Sequence, residues 1–204
     1  MAKYIVIKSD IDPYSPREDD NLGTMVCFHS GYNLGDKDHS VYLEDKYDET
    51  RKRWTKVPML DDTEITDKDF IILPLYLYDH SGITMNTTGF SCQWDSGQVG
   101  IIFISKEKAR EEYSWKYITK ARQERIENYL KGEVETYDQF LRGDIYGFVC
   151  HEDGVEKDSC WGFYGDDITT NGMIDNIGKE FYEGATIIRE HLGETMPDED
   201  DEAA

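Results

Sequence analysis

Between Leu73 and Ser105 the chain reads LPLYLYDHSGITMNTTGFSCQWDSGQVGIIFIS, and the middle of this stretch collects Asp79, His80, Cys92, Trp94 and Asp95 in one loop system. A thiol, an imidazole and two carboxylates are the residue types of nucleophilic catalysis. The thiolate attacks, the imidazole moves its proton, and a carboxylate orients the ring. Cys92 is the candidate nucleophile, His80 the acid/base, and Asp79 or Asp95 the orienting group. His29 and His151, each beside a strand-like run, are alternative bases. A structural cysteine and a loop-capping histidine fit the same pattern, because the spacing matches no protease or transferase signature. The residues name a candidate site and no reaction.

Metal and phosphate chemistry find less support. Cys27-x-His29, Asp79-His80, Cys92, Cys150-His151 and Cys160 are thiolate and imidazole donors. Structural zinc is usually held by pairs two to four residues apart, and only Cys27/His29 comes near that. No cofactor is therefore expected, and a metal that did bind would be zinc rather than a hard cation, given the soft donors. Neither GxxxxGK[ST] nor GxGxxG occurs. Asp19-Asp20, Asp61-Asp62 and Asp166-Asp167 lack the spacing of an EF-hand and read as solvated loop carboxylates. The string Trp161-Gly162-Phe163-Tyr164-Gly165-Asp166-Asp167 is different. Together with Trp94, its Trp161, Tyr164, Asp166 and Asp167 form an acidic–aromatic set suited to a basic partner surface.

The elements that must position these groups follow from periodicity. Lys3 to Lys8 alternates and is β-branched, Thr24 to His29 reads as a second strand, and Ile145 to Cys150 with Ser159 to Tyr164 flank an Asp153-Gly154 hairpin turn. Phe70 to Tyr78 is a strand whose Pro74 confines it to an edge or a bulge. Gly82 to Met85 is a short returning strand, and Val99 to Ile104 is a strand buried on both faces. Ser105 caps a short helix. Ile126, Leu130, Val134, Tyr137 and Leu141 recur at helical spacing after Thr119, and Ile174, Ile177, Phe181, Ala185, Ile188 and Leu192 predict a second amphipathic helix. Residues 41–56 are charged and weakly periodic, a short helix or an exposed connection. The expected fold is a single α+β domain over 1–193, with a mixed or antiparallel sheet of about five to seven strands and two main amphipathic helices. The acidic residues 194–204 are expected to be a disordered tail.

Charge is the strongest global feature. Across 204 residues, 22 Lys and Arg face 43 Asp and Glu, a net charge of −21. Such a chain repels nucleic-acid phosphates and anionic membranes, so neither is an expected direct partner. The charge is uneven: residues 105–131 carry eight basic groups against five acidic ones, and residues 132–204 carry four against twenty. The four cysteines form no CxxC pair, MAKYIVIKSD shows no signal-peptide pattern, and no run is long enough to span a membrane. Reduced thiols in a host cytoplasm are the expectation.

The strings SPREDDNLGTMVCFHSGYNLGD, LPLYLYDHSGITMNTTGFSCQWDSGQVG, GEVETYDQFLRGDIYGF and DSCWGFYGDD resemble a family of uncharacterised acidic proteins encoded by phages and bacterial mobile elements. The resemblance runs from Ser15 to Asp167, leaves out residues 41–66 and the acidic end, and brings no established activity. It implies an accessory protein that acts by binding. Its acidic surface would engage a basic host or element protein, such as a nucleic-acid-handling or host-defence enzyme, as a DNA mimic does. A small Cys/His enzyme using residues 79–98 and a virion or assembly component are the alternatives.

Overall fold

The computed structural model describes residues 2–196; most of the expected acidic tail, 197–204, lies outside them. In chain order the first strands are β1 (Lys3–Ser9), β2 (Thr24–Cys27), β3 (Val41–Asp48), β4 (Arg53–Leu60), β5 (Thr63–Glu64), β6 (Phe70–Asp79), β7 (Ile83–Asn86) and β8 (Ser96–Ser105). There follow α1 (Lys106–Glu112), α2 (Lys120–Arg142), β9 (Ile145–Glu152), β10 (Val155–Tyr164), α3 (Met173–Ile177), α4 (Lys179–Tyr182) and β11 (Thr186–Arg189). The class is α+β, and the strands form three sheets. Two compact units are present, residues 2–16 with 139–196, and residues 17–138. No helix among the described residues is long and apolar enough to cross a membrane.

The first unit is one sheet in the order β10-β9-β1-β11, with β1 antiparallel to β9 and parallel to β11. Alternation along β1 puts Ile5 and Ile7 into a core with Phe148, Cys150, Ile168, Met173 and Ile177. The β9–β10 hairpin turns at Asp153 and Gly154, both at positive φ as a type I′ turn requires. The expected second amphipathic helix does not form. The stripe from Ile174 to Leu192 is divided into α3, α4, the strand β11 and a last 3-10 turn, Glu190–Leu192. Gly178 and Gly184 sit at φ 82° and 89°, in the left-handed region that ends helices. Beyond them the β-branched Thr186, Ile187 and Ile188 pair with Tyr4, Ile5 and Val6 of β1. Helical spacing was accidental there; a free strand edge outweighed it. Glu194 also belongs to the fold, its carboxylate accepting the Arg189 N–H at 2.6 Å.

The second unit holds two sheets, β2-β8-β6-β7 and β3-β4-β5, with α1 and most of α2. Gly100 to Ile104 of β8 are buried, as a central strand demands. Pro74 opposes Ile101 on β8, while β7 pairs only with Tyr76 to Asp79. Proline thus occupies the part of β6 whose other edge lacks a strand partner, and a register shift follows at Leu75/Tyr76. The Ser105 hydroxyl accepts the Lys108 N–H at 3.0 Å and caps α1. Ile126, Leu130, Val134 and Tyr137 of α2 are buried. Residues 41–56, expected as a helix or an exposed connection, instead pair as β3 and β4, from Val41↔Leu60 to Asp48↔Arg53. Most of this hairpin is solvent-exposed, so it lacks the apolar alternation by which a half-buried strand is read. Cross-strand contacts hold it instead, among them the edge-on Tyr47–Trp54 pair with ring centroids 5.7 Å apart.

A buried ionic hub ties the second unit together. The Arg17 side chain is 3% exposed. Its Nε and Nη2 donate to Asp36 at 2.7 and 3.1 Å, its Nη1 to Glu133 at 3.0 Å, and its Nη2 to the Gly23 carbonyl at 2.7 Å. The carboxylates also serve the backbone: Glu133 accepts from Leu22 N at 2.8 Å, and Asp36 from Met25 N at 2.9 Å. Burial alone would lower the guanidinium pKa, but hydrogen bonds and charge from Asp36 and Glu133 outweigh it and raise it. Residues 9–23 are polar and contain two prolines, a composition that reads as a loop and gives no sign of this role.

Candidate functional site

The 79–98 loop is built by β6, β7 and β8. Asp79 N–H donates to the Asp95 carbonyl at 2.8 Å, continuing the β6–β8 ladder past its last pair, and so brings the two ends of the loop together. From α2, Asp138 accepts from Thr84 Oγ1 and from Met85 N, both at 2.6 Å, and holds β7. Asn86 Oδ1 accepts from Thr88 N and Gly89 N at 3.1 and 2.7 Å, fixing the turn after β7. The Ser96 hydroxyl bonds to the Cys92 carbonyl. A loop with this many internal anchors is a platform rather than a free connection.

Four sequence-singled residues do converge. Cys92 Sγ lies 3.5 Å from Asp95 Oδ2, and His80 Nδ1 lies 3.6 Å from the same oxygen. Asp79 stands on the adjoining ladder position and accepts a hydrogen bond from Tyr32 Oη at 2.9 Å, which raises the phenol pKa. Tyr32 in turn stacks on His29, with ring centroids 5.0 Å apart at 22°. Neither Tyr32 nor its link to Asp79 was legible in the sequence, since 47 residues separate the two and only an aromatic ring in a Gly/Asn-rich loop hinted at it.

The order of these groups matters chemically. Thiol-dependent catalysis runs thiol to imidazole to carboxylate, so that the imidazole takes the thiol proton. Here both the thiol and the imidazole face one carboxylate. The adjacent open depression, about 410 Å³, is lined by Tyr76, Thr88, Phe90, Gln93, Ser96 and neighbouring glycines rather than by Asp79, His80, Cys92 or Asp95. Trp94 projects from the loop, 96% exposed. The platform therefore presents carboxylates, an imidazole and a bare indole to solvent. No group of three or more His, Cys, Asp or Glu among the described residues is placed to hold a metal ion.

The remaining sequence candidates belong to the first unit. Trp161 is 46% exposed and lays its ring over Gly147, where a Cβ would come within 2.3 Å of it. Tyr164 lies opposite Ile145 in the β9–β10 ladder. Asp166 is exposed. Asp167 is a turn former: its carboxylate accepts from Thr169 Oγ1 at 2.6 Å and Thr169 N at 3.0 Å, and these bonds lower its pKa.

The cysteines separate by environment. Burial pushes the Cys27 thiol up to about 12, with the Asp36 carboxylate adding to the shift, and burial pushes Cys150 up to about 11. Both thiols stay protonated at pH 8, and their preference for the neutral form stabilises the fold below the ordinary thiol pKa. That contribution is lost as pH rises from about 9 toward 11 and 12. Brief iodoacetamide treatment of the native protein at pH 8, read by peptide mass spectrometry, is expected to leave Cys27 and Cys150 unmodified until denaturant is added. Rapid native labelling of either would contradict its neutral state, in the half-buried Cys27 as in the buried Cys150.

Fold and site together define an α+β protein of two compact units, one of which carries a rigid carboxylate–aromatic loop. Comparison with protein-family models, with curated proteins and with solved structures found no match.

Proposed function

We propose that this chain is a binding protein, an accessory factor of a phage or mobile element, whose acidic surface engages a basic protein. The observation that supports this most is Trp94, 96% exposed on a well-anchored loop that also carries the exposed Asp79 and the half-buried Asp95. An indole left in water gains nothing for the fold. Tryptophan is among the commonest anchors of protein interfaces, and carboxylates around it select a cationic rim. The net charge of −21 extends that selection over the whole molecule by steering basic partners at long range. A nucleic-acid-handling or host-defence enzyme has such a surface, and carboxylates would stand there in place of phosphates. On the first unit, Trp161 and Asp166 offer a second contact of the same chemistry.

Affinity capture from host lysate at low salt, followed by purification of the captured protein, gives the pair to be measured. Trp94→Ala is expected to weaken that complex at least about tenfold, as loss of an interface anchor does. Raising salt from about 50 to 200 mM is expected to weaken it further, through screening of the carboxylates. A complex indifferent to both changes would refute the assignment of this surface.

A further inference from the structure

The connection between α1 and α2, with the first turns of α2, carries a surface of opposite character to the rest of the molecule. Tyr113 and Trp115 stack with ring centroids 4.5 Å apart at 17°. The Arg125 guanidinium lies over Tyr113 at 5.3 Å, and that of Arg122 lies over Trp115 at 4.8 Å and over Tyr117 at 5.6 Å. Arg122 is steadied by donating to the Tyr117 carbonyl at 2.8 Å. Tyr117 is 61% exposed, and Lys116 and Lys120 stand beside it in solvent. Rings and guanidiniums are therefore interleaved and held in place before any ligand arrives.

Helix stability does not account for this arrangement. The first turn of α2 holds Lys120 and no acidic residue, the reverse of what the helix dipole favours. Glu107, Glu111, Glu112, Glu124 and Glu127 share the segment, yet Lys116, Lys120, Arg122 and Arg125 form no ion pair with a carboxylate among the described residues. Cations that a fold uses for itself are paired; these are left with their charge available. A guanidinium lying on a ring also keeps its N–H edge open to an anion.

We infer that this surface binds single-stranded nucleic acid, with Arg122, Arg125, Lys116 and Lys120 on phosphates and the exposed face of Tyr117 under a base. Of the polyanions that complement the charge, single-stranded nucleic acid also supplies the flat rings that the aromatic half of the surface takes up; an acidic polypeptide matches the charge alone. The net charge of −21 opposes approach from a distance, which is why composition argued against nucleic acid. At contact the local charge governs, since exposed charges beyond about 10 Å are screened at ~0.1 M salt. This inference is independent of the function proposed for the Trp94 loop, and the two fail separately.

The test is fluorescence anisotropy with the full chain and labelled oligothymidylate or oligouridylate of about twelve nucleotides, at ~0.1 M salt, where the net charge is screened. Saturable binding is expected with Kd of about 10⁻⁶ to 10⁻⁴ M, weakening as salt rises. Lys116→Glu with Lys120→Glu, both exposed and with side chains in no hydrogen bond or ion pair among the described residues, is expected to reduce affinity at least tenfold. Tyr117→Ala is expected to reduce it with little change in salt dependence, and Trp94→Ala to leave it unchanged. No saturable signal, or binding insensitive to the paired lysine reversal, overturns the inference. Equal binding of polyglutamate through the same lysines would also overturn it, by showing a surface that reads charge alone.

Discussion

Replacement of Arg17 by alanine is expected to destabilise the protein by about 3–5 kcal/mol, the range found when one partner is removed from a buried ionic network. The loss is large because two carboxylates remain: Glu133 is 9% exposed and Asp36 19%, and each would be left beside the other without its cation. Arg17→Lys is expected to recover only part of the loss, since an ammonium cannot give Asp36 the paired bonds from Nε and Nη2. Nor is an apolar replacement of all three residues expected to restore stability. Asp36 and Glu133 also accept the backbone N–H groups of Met25 and Leu22, which would then be orphaned. Urea denaturation followed by circular dichroism decides the matter. A cost under about 1 kcal/mol for Arg17→Ala would mean that water reaches the hub and stands in for the arginine.

Gly100→Ala is the second large effect. A Cβ at this position would lie 1.9 Å from the Val26 carbonyl oxygen and 2.9 Å from Cys27 Cα, both backbone atoms of the neighbouring strand. No rotamer change relieves a clash with backbone; β2 must move away from β8, and Thr24 to Cys27 would lose ladder pairing with Gly100 to Phe103. The expected cost is about 3 kcal/mol or more, at the upper end of overpacking substitutions. Gly132→Ala supplies the control. Its Cβ would meet nothing within 4 Å, inside the long helix α2, and the substitution is expected to stabilise by up to about 1 kcal/mol through helix propensity. The same chemical change thus has opposite signs at two glycines. Equal effects at the two positions would contradict the close approach of β2 to β8.

Much of the scaffold was open to sequence reading because its signals are local. The α2 stripe, the Ser105 cap, the Asp153-Gly154 turn and the proline-marked β6 each depend on residues within a few positions of one another. The candidate loop was legible for a related reason. Asp79 and His80 end one strand while Cys92 and Asp95 precede the strand that pairs with it, so an antiparallel ladder alone brings them near. Tyr32 was invisible, because its place beside Asp79 comes from the packing of a separate loop. The β3–β4 hairpin escaped notice because exposed strands carry no burial pattern. Of the aromatic–arginine stack of Tyr113, Trp115, Arg122 and Arg125, the sequence showed the local positive charge and Trp115 as a patch-forming aromatic; its order arises where the chain turns between α1 and α2.

By itself the sequence determined the α+β class, most strand and helix positions, the acidic character and the cluster of chemical groups in residues 79–98. Tertiary structure decided the rest: that Thr186 to Arg189 is a strand beside β1, that Arg17 pairs with Asp36 and, 116 residues away in sequence, with Glu133, and that Cys92 and His80 meet at Asp95 and not at each other. The physical reason is one of magnitude. Intrinsic preferences differ by tenths of a kcal/mol per residue, whereas leaving a buried charge without its partner, or several backbone groups of a buried strand unpaired, costs several, so distant partners override local spacing wherever they compete.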